Sequence, residues 1–288
     1  MLDATVNVTS RSENDLRAMG APIAGLPMYD PPELQGAVDA WWSGLARAFR
    51  AEGIAGVPDR LDRGLTLDAL WGAPDLMFTQ TCGYPLLGPW AGRLEYLATP
   101  RYAAPGCKGS SYCSWIVVGA NSPARNFEDL RGARCSINGR ISHSGYNALR
   151  ALVAPSAQNG RFFGSVSVSG SHAESLAQIG REEADVAAID CVTHALLSRC
   201  RPDAIAATRI IGRTVSAPSL PYTTRNNAGS DLIARLRAGL FSAIAEPGLA
   251  SVRAELLITG LEVLPLVSYR CMMEMELEAR EQRYVEMD

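Results

Sequence analysis

The chain lacks much of what would commit it to several common functions. It has only three histidines among 288 residues and no CxxC pair, so the usual ligand set for structural zinc is missing. Its formal net charge of −3 gives no basic excess to attract nucleic acid. No apolar run approaches the roughly 20 residues that span a bilayer. The stretch Gly139-Arg-Ile-Ser-His-Ser-Gly145 has no lysine before a serine or threonine, so it is not a nucleotide-binding P-loop. Residues 1–20 carry Asp3, Arg11, Glu13, Asp15 and Arg17, with no basic start leading into an apolar stretch. They read as a polar tail, consistent with either a cytoplasmic protein or one whose export signal has been removed. Cysteine is present but unpaired in number. Seven scattered positions argue against a disulfide framework, although Cys107 and Cys113 are close enough in sequence for a hairpin bond.

What is present is an alternation of strands and helices. With 47% apolar residues, the chain can bury a proper core. Strands are expected at 23–29, 75–79, 94–98, 112–118, 134–138, 166–169, 185–190 and 208–215. After Pro31-Pro32, the residues Leu34, Val38, Trp41, Leu45 and Phe49 keep helical spacing until Gly53, and the tryptophans read as core. The alternation predicts an α/β fold with largely parallel sheets. Two passages rich in Pro, Gly and Ser, 99–111 and 217–221, flank a self-contained run of strands and helices. They read as crossings between two lobes, one of 21–110 joined to 217–288 and one of 111–216. After the second crossing the chain reads as mostly helical.

Ligands in such sheets sit beyond the carboxyl ends of strands. Four loops occupy that position: the one at Tyr29, Thr79-Gln80-Thr81-Cys82-Gly83-Tyr84, Ser142-His143-Ser144-Gly145, and Gly170-Ser171-His172. The third is the most informative, because its serines precede a helix whose first N–H groups and partial positive charge suit an anion. Ser142 or Ser144 could equally serve as a helix cap. Cys82 has no readable Cys-His-Asn partners and reads as a pocket-lining thiol rather than a nucleophile. Asp190 ends an apolar strand. It either faces the cleft, favouring an aminoalkylphosphonate-like zwitterion over phosphate, or caps the next helix.

Together these segments resemble a known family. Leu26-Pro-Met-Tyr29, Asp75-Leu-Met-Phe-Thr-Gln-Thr-Cys-Gly-Tyr-Pro85, Asp129-Leu-Arg-Gly132, Asn138 with Ser142-His-Ser-Gly-Tyr146, Ser169-Gly-Ser-His172 and Asp185-Val-Ala-Ala-Ile-Asp190 are similar, in order and spacing, to the phosphate/phosphite/phosphonate substrate-binding proteins of ABC transporters. The resemblance implies a two-lobed type II periplasmic-binding-protein fold with two hinge crossings, a small anionic or zwitterionic ligand, a transporter partner in the membrane, a periplasmic location and no cofactor. It places Ser142, His143 and Ser144 at the phosphonyl group, and matches His172 to the histidine that follows the family's second-lobe strand. Tyr29 and the loop Thr79 to Tyr84 would form the opposite wall. The alternative on the same fold is a cytoplasmic sensor, or an enzyme like those of menaquinone or thiamine-pyrimidine synthesis. His172 or Asp190 would then act as acid or base.

Overall fold

The computed structural model describes residues 20–287, so the polar tail lies outside the described residues apart from Gly20. Twelve strands are described: β1 (Ile23–Gly25), β2 (Leu76–Gln80), β3 (Leu94–Tyr102), β4 (Ser111–Tyr112), β5 (Ser114–Gly119), β6 (Arg134–Ile137), β7 (Ser165–Val168), β8 (Val186–Asp190), β9 (Thr208–Arg213), β10 (Ala217–Pro218), β11 (Tyr222–Arg225) and β12 (Ile258–Glu262). Between them run α1 (Gln35–Ala51), α2 (Leu67–Trp71), α3 (Gly83–Leu87), α4 (Ala148–Val153), α5 (His172–Gly180), α6 (Cys191–Cys200), α7 (Pro202–Ala206), α8 (Gly229–Ala245), α9 (Ala250–Glu255) and α10 (Arg270–Glu281).

The strands form two five-stranded sheets, ordered β1-β2-β11-β3-β12 and β7-β6-β8-β5-β9. A small ribbon of β4 and β10 pairs Tyr112 with Ala217 and Ser111 with Pro218, where the chain passes from one sheet to the other and back. The expectation of largely parallel sheets is corrected here. Only β1–β2, β6–β7 and β6–β8 run parallel. On leaving the ribbon, β5 runs against both β8 and β9; on returning, β11 runs against both β2 and β3. After residue 221 the chain is mostly helical, as expected, through α8, α9 and α10, but it also supplies two strands not expected there, β11 at the centre of the first sheet and β12 at its edge. Strand β1 is shorter than expected, since Leu26 to Tyr29 turns away towards the cleft.

Alternation along the strands sets the cores. Ile116, Val118, Val186 and Ala188 face one side of the second sheet with Leu149, Val153 and Phe163. Val117, Ala187 and Ile189 face the other, against Leu176, Ile179 and Leu197. The first sheet packs Phe78 on Trp42 and Phe49 of α1, with the Tyr222 ring against Phe78. Helix α8 comes close enough to α1 that a Cβ on Gly239 would collide with the Phe49 ring.

The end of the chain departs from the expected division, which placed all of 217–288 with the first lobe. In α10, Met272 is buried in the core of the first sheet, while Ala279 and the following Tyr284 and Met287 are buried in the core of the second. Asn147 Nδ2 donates to Met272 O at 2.7 Å, and Arg150 donates to Val285 O at 2.7 Å.

The cysteines are all free thiols. Cys107 and Cys113 are not bonded to each other, and Cys107 Sγ lies 3.6 Å from Cys191 Sγ. Gly106, at φ +96°, makes this possible: a side chain there would press on Cys113 Sγ and Cys191 Cβ.

Candidate functional site

A cleft of about 620 Å³ lies beyond the carboxyl ends of β1, β2, β6, β7 and β8. Of the residues expected at the site, Tyr29, Cys82, Ser142, Ser144, His172 and Asp190 line it.

Ser142 is the N-cap of a single π turn, His143–Asn147, that runs directly into α4. Its hydroxyl oxygen accepts the Gly145 N–H at 3.1 Å, and the Asn147 N–H reaches back to Ser142 O at 3.0 Å. The widened turn is of a kind found often at functional sites. Ser142 Oγ lies 3.3 Å from Ser144 Oγ, which lies 2.8 Å from His172 Nε2. Burial holds the His172 imidazole down at about 4, against the opposing pull of the Ala188 carbonyl, so the ring is neutral near pH 7. Serine hydroxyls, helix-start N–H groups and a neutral imidazole therefore meet at one end of the cleft. This is an arrangement of dipoles that can hold an anion without a formal positive charge.

Asp190 ends β8, which pairs with β6 in the same sheet that carries the serine loop, and it lines the cleft there. Its Oδ1 accepts the N–H groups of Val192 at 2.7 Å and Thr193 at 2.9 Å, so it caps α6. Its Oδ2 accepts the Tyr29 hydroxyl at 3.0 Å. Burial pushes the carboxyl up to about 6, and the Thr193 N–H, the Tyr29 hydroxyl and the Val192 N–H pull the other way. Tyr29 is held edge-on against Tyr102, with ring centroids 5.3 Å apart. Burial, then the Asp190 charge, raises its hydroxyl well above the ordinary range, so it remains a donor. Burial likewise pushes the Cys82 thiol up to about 11, although N–H groups of Tyr84 and His143 act against it; this is no thiolate nucleophile.

Six expected residues stand back from the cleft. Thr79 and Thr81 turn their hydroxyls to main-chain carbonyls of the same loop, Gln80 O and Cys82 O. Gln80 donates to Tyr102 Oη and Leu220 O, both at 3.0 Å. Tyr84 donates to Glu276 Oε2 of α10 at 2.8 Å. His143 is 2% exposed, and its Nδ1 faces Asn147 Nδ2 at 3.3 Å; burial lowers it to about 3. Gly145 contributes no side chain and is needed for space, since a Cβ there would overlap Asn138 Oδ1.

Other lining residues were not expected at the site, although Asn138 was among those carrying the family resemblance. Asn138 follows β6 directly and lines the anion end. Arg201, after α6, makes a bidentate pair with Glu33 at 2.8 and 3.1 Å. No local pattern links two residues so far apart in the chain. Among the described residues Arg201 is the one cation of the lining, and the lining carboxylates Asp30 and Glu174 are paired with Arg63 and Arg181.

Residues 24–264 match the family described as the phosphonate, periplasmic substrate-binding protein of ABC transporters. The chain belongs to this family. Solved structures with the same type II periplasmic-binding fold include a binding protein component of an ABC phosphonate transporter from Pseudomonas aeruginosa, with TM-score 0.74 and 16% identity over 92% of this chain and 88% of that one. PhnD1 from Prochlorococcus marinus, in complex with methylphosphonate, has TM-score 0.72 and 12% identity over 92% of this chain and 99% of that one. The alkanesulfonate-binding protein SsuA from Xanthomonas axonopodis pv. citri, bound to MOPS, has TM-score 0.61 and 13% identity over 93% and 95%. No curated protein sequence matches the chain. As a member of this phosphonate-binding family, the chain is a solute-binding protein for small anions, and its family serves transport rather than catalysis.

Proposed function

We propose that the protein captures a phosphonate-type anion with its head against Ser142, Ser144 and the N–H groups at the start of the π turn, and presents it to an ABC transporter at the periplasmic face of a membrane. The observation that carries this reading is the chain of contacts from Ser142 through Ser144 to a neutral His172 at a helix start inside the cleft. Hydrogen bonds to a charged group are worth about 1.5–3 kcal/mol each, so a few such donors suffice where water is excluded. The lobes in this reading are 21–110 with 217–288, and 111–216, the last residues of the chain reaching over to the core of the second, and they close about the β4–β10 ribbon as a hinge. A zwitterionic ligand would set its amine at Asp190 Oδ2, in place of the Tyr29 hydroxyl.

The test is ligand-induced thermal stabilisation of the whole protein by methylphosphonate and by phosphate. The wild type should be stabilised, and the Ser142→Ala/Ser144→Ala double variant should not. Undiminished stabilisation of the double variant would remove the head from this loop.

A further inference from the structure

We infer that the ligand is not a minimal phosphonate but one whose anionic head carries a sizeable apolar group, such as an aryl or medium alkyl chain. This rests on the reading of the head site given above and adds the class of its substituent.

The first ground is volume. Three contacts already join the two sides of the cleft: Tyr29 to Asp190, Glu33 to Arg201, and Arg199 to the carbonyls of Ala254 and Glu255 at 3.0 and 3.2 Å. With those contacts made, the cleft still measures about 620 Å³. Methylphosphonate has one carbon, one phosphorus and three oxygens. At roughly 30 Å³ per atom, the share of a water molecule in the liquid, it fills about 150 Å³. A space several times larger belongs to the range that holds ligands of drug size.

The second ground is the chemistry of the rest of the lining, outside the serine hydroxyls. Leu67 and Trp71 of α2 contribute to it from the side of the first sheet, and Ile141, Leu196 and Leu197 from the side of the second. Leu67 is 38% exposed and Ile141 43% exposed. Large apolar side chains are thus left facing water on both walls of a cleft, Ile141 being the immediate neighbour of Ser142. The charged groups that reach the same lining, Asp30, Glu174 and Arg201, are already paired within the protein. Nothing there asks for a second charge on the ligand, and apolar carbon would cover what is exposed.

Each methylene moved from water into such a wall raises affinity about fourfold. Isothermal titration of the full chain with methylphosphonate, phenylphosphonate and benzyl alcohol tests this. Phenylphosphonate should bind at least about 30-fold more tightly than methylphosphonate. Leu67→Ser and Ile141→Ser, both at exposed positions that folding tolerates, should each narrow that preference about fivefold or more. Methylphosphonate binding as tightly as phenylphosphonate overturns the inference and leaves the head site standing, as does a preference that neither variant narrows. If benzyl alcohol binds as well as phenylphosphonate, the apolar wall stands and the anion head site falls. If none of the three binds, both fall.

Discussion

Replacing Asp190 by asparagine should make the protein more stable at neutral pH and leave it unchanged in acid. The carboxyl is 2% exposed, and its folded-state value of about 6 lies above the ordinary 3.8. An acid raised on folding holds an extra proton in the folded state between those two values. Stability from this group therefore falls as pH climbs from about 4 to about 6, and stays lower above that. The shift of about two units corresponds to about 3 kcal/mol. Asparagine caps helices about as well as aspartate, so the contacts to Val192 and Thr193 survive through its Oδ1. Below pH 4 the wild-type side chain is neutral as well, and the two proteins should have the same stability. By pH 7 the variant should lead by about 3 kcal/mol. His143 and His172 act in the opposite sense. Lowered on folding to about 3 and about 4, they contribute stability that is present at neutral pH and lost as pH falls through those values. Both proteins carry these histidines, so the difference between them isolates Asp190. Urea unfolding at pH 4, 5, 6 and 7 measures it. A difference that does not change with pH, or a variant less stable than wild type at pH 7, would refute the reasoning.

Three other perturbations separate the structural roles. Incubation with oxidised glutathione should join Cys107 to Cys191 by thiol–disulfide exchange, with loss of two hydrogens and release of two reduced glutathiones; peptide mapping that finds Cys107 bonded to Cys113 would contradict the geometry. Gly145→Ala drives a methyl group into Asn138 Oδ1 and should cost about 1–3 kcal/mol in thermal denaturation, along with weaker binding of methylphosphonate; an unchanged melting temperature would mean the loop relaxes freely. Tyr84→Phe removes the hydrogen bond to Glu276 and should cost about 1–2 kcal/mol while shifting methylphosphonate affinity less than twofold, whereas a tenfold loss by titration calorimetry would return Tyr84 to the cleft.

The parts of the fold legible in the sequence were those with strong local signals. Leu76 to Gln80 and Val186 to Asp190 open on apolar runs, Leu76 to Phe78 and Val186 to Ile189, and both are fully buried strands. The serine loop was legible because a cap and a glycine precede a helix. Strand β11 was not, because Tyr222-Thr-Thr-Arg225 is short and half polar. It becomes a strand only by pairing with Gln80 and Ala98, far off in sequence. The same limit applies at the site. That Asp190 ends a strand and could cap the next helix was readable, but its third partner depends on Tyr29 arriving from the other side of the cleft. Thr79, Gln80 and Thr81 were chosen by position in the loop, yet the direction of each side chain is set by the carbonyls and by Tyr102 around it.

Helix α10 and the residues after it reach into both cores, with Met272 in one and Tyr284 and Met287 in the other. Any rotation about the β4–β10 ribbon must carry this segment along or pull one of its ends out of its pocket. With the hinge proposed above, the carboxyl-terminal turn would work as a tether whose length limits how far the cleft can gape. Trimming Tyr284 to Met287, or hanging bulk beside them, would then shift the balance between open and closed molecules from a point outside the cleft lining.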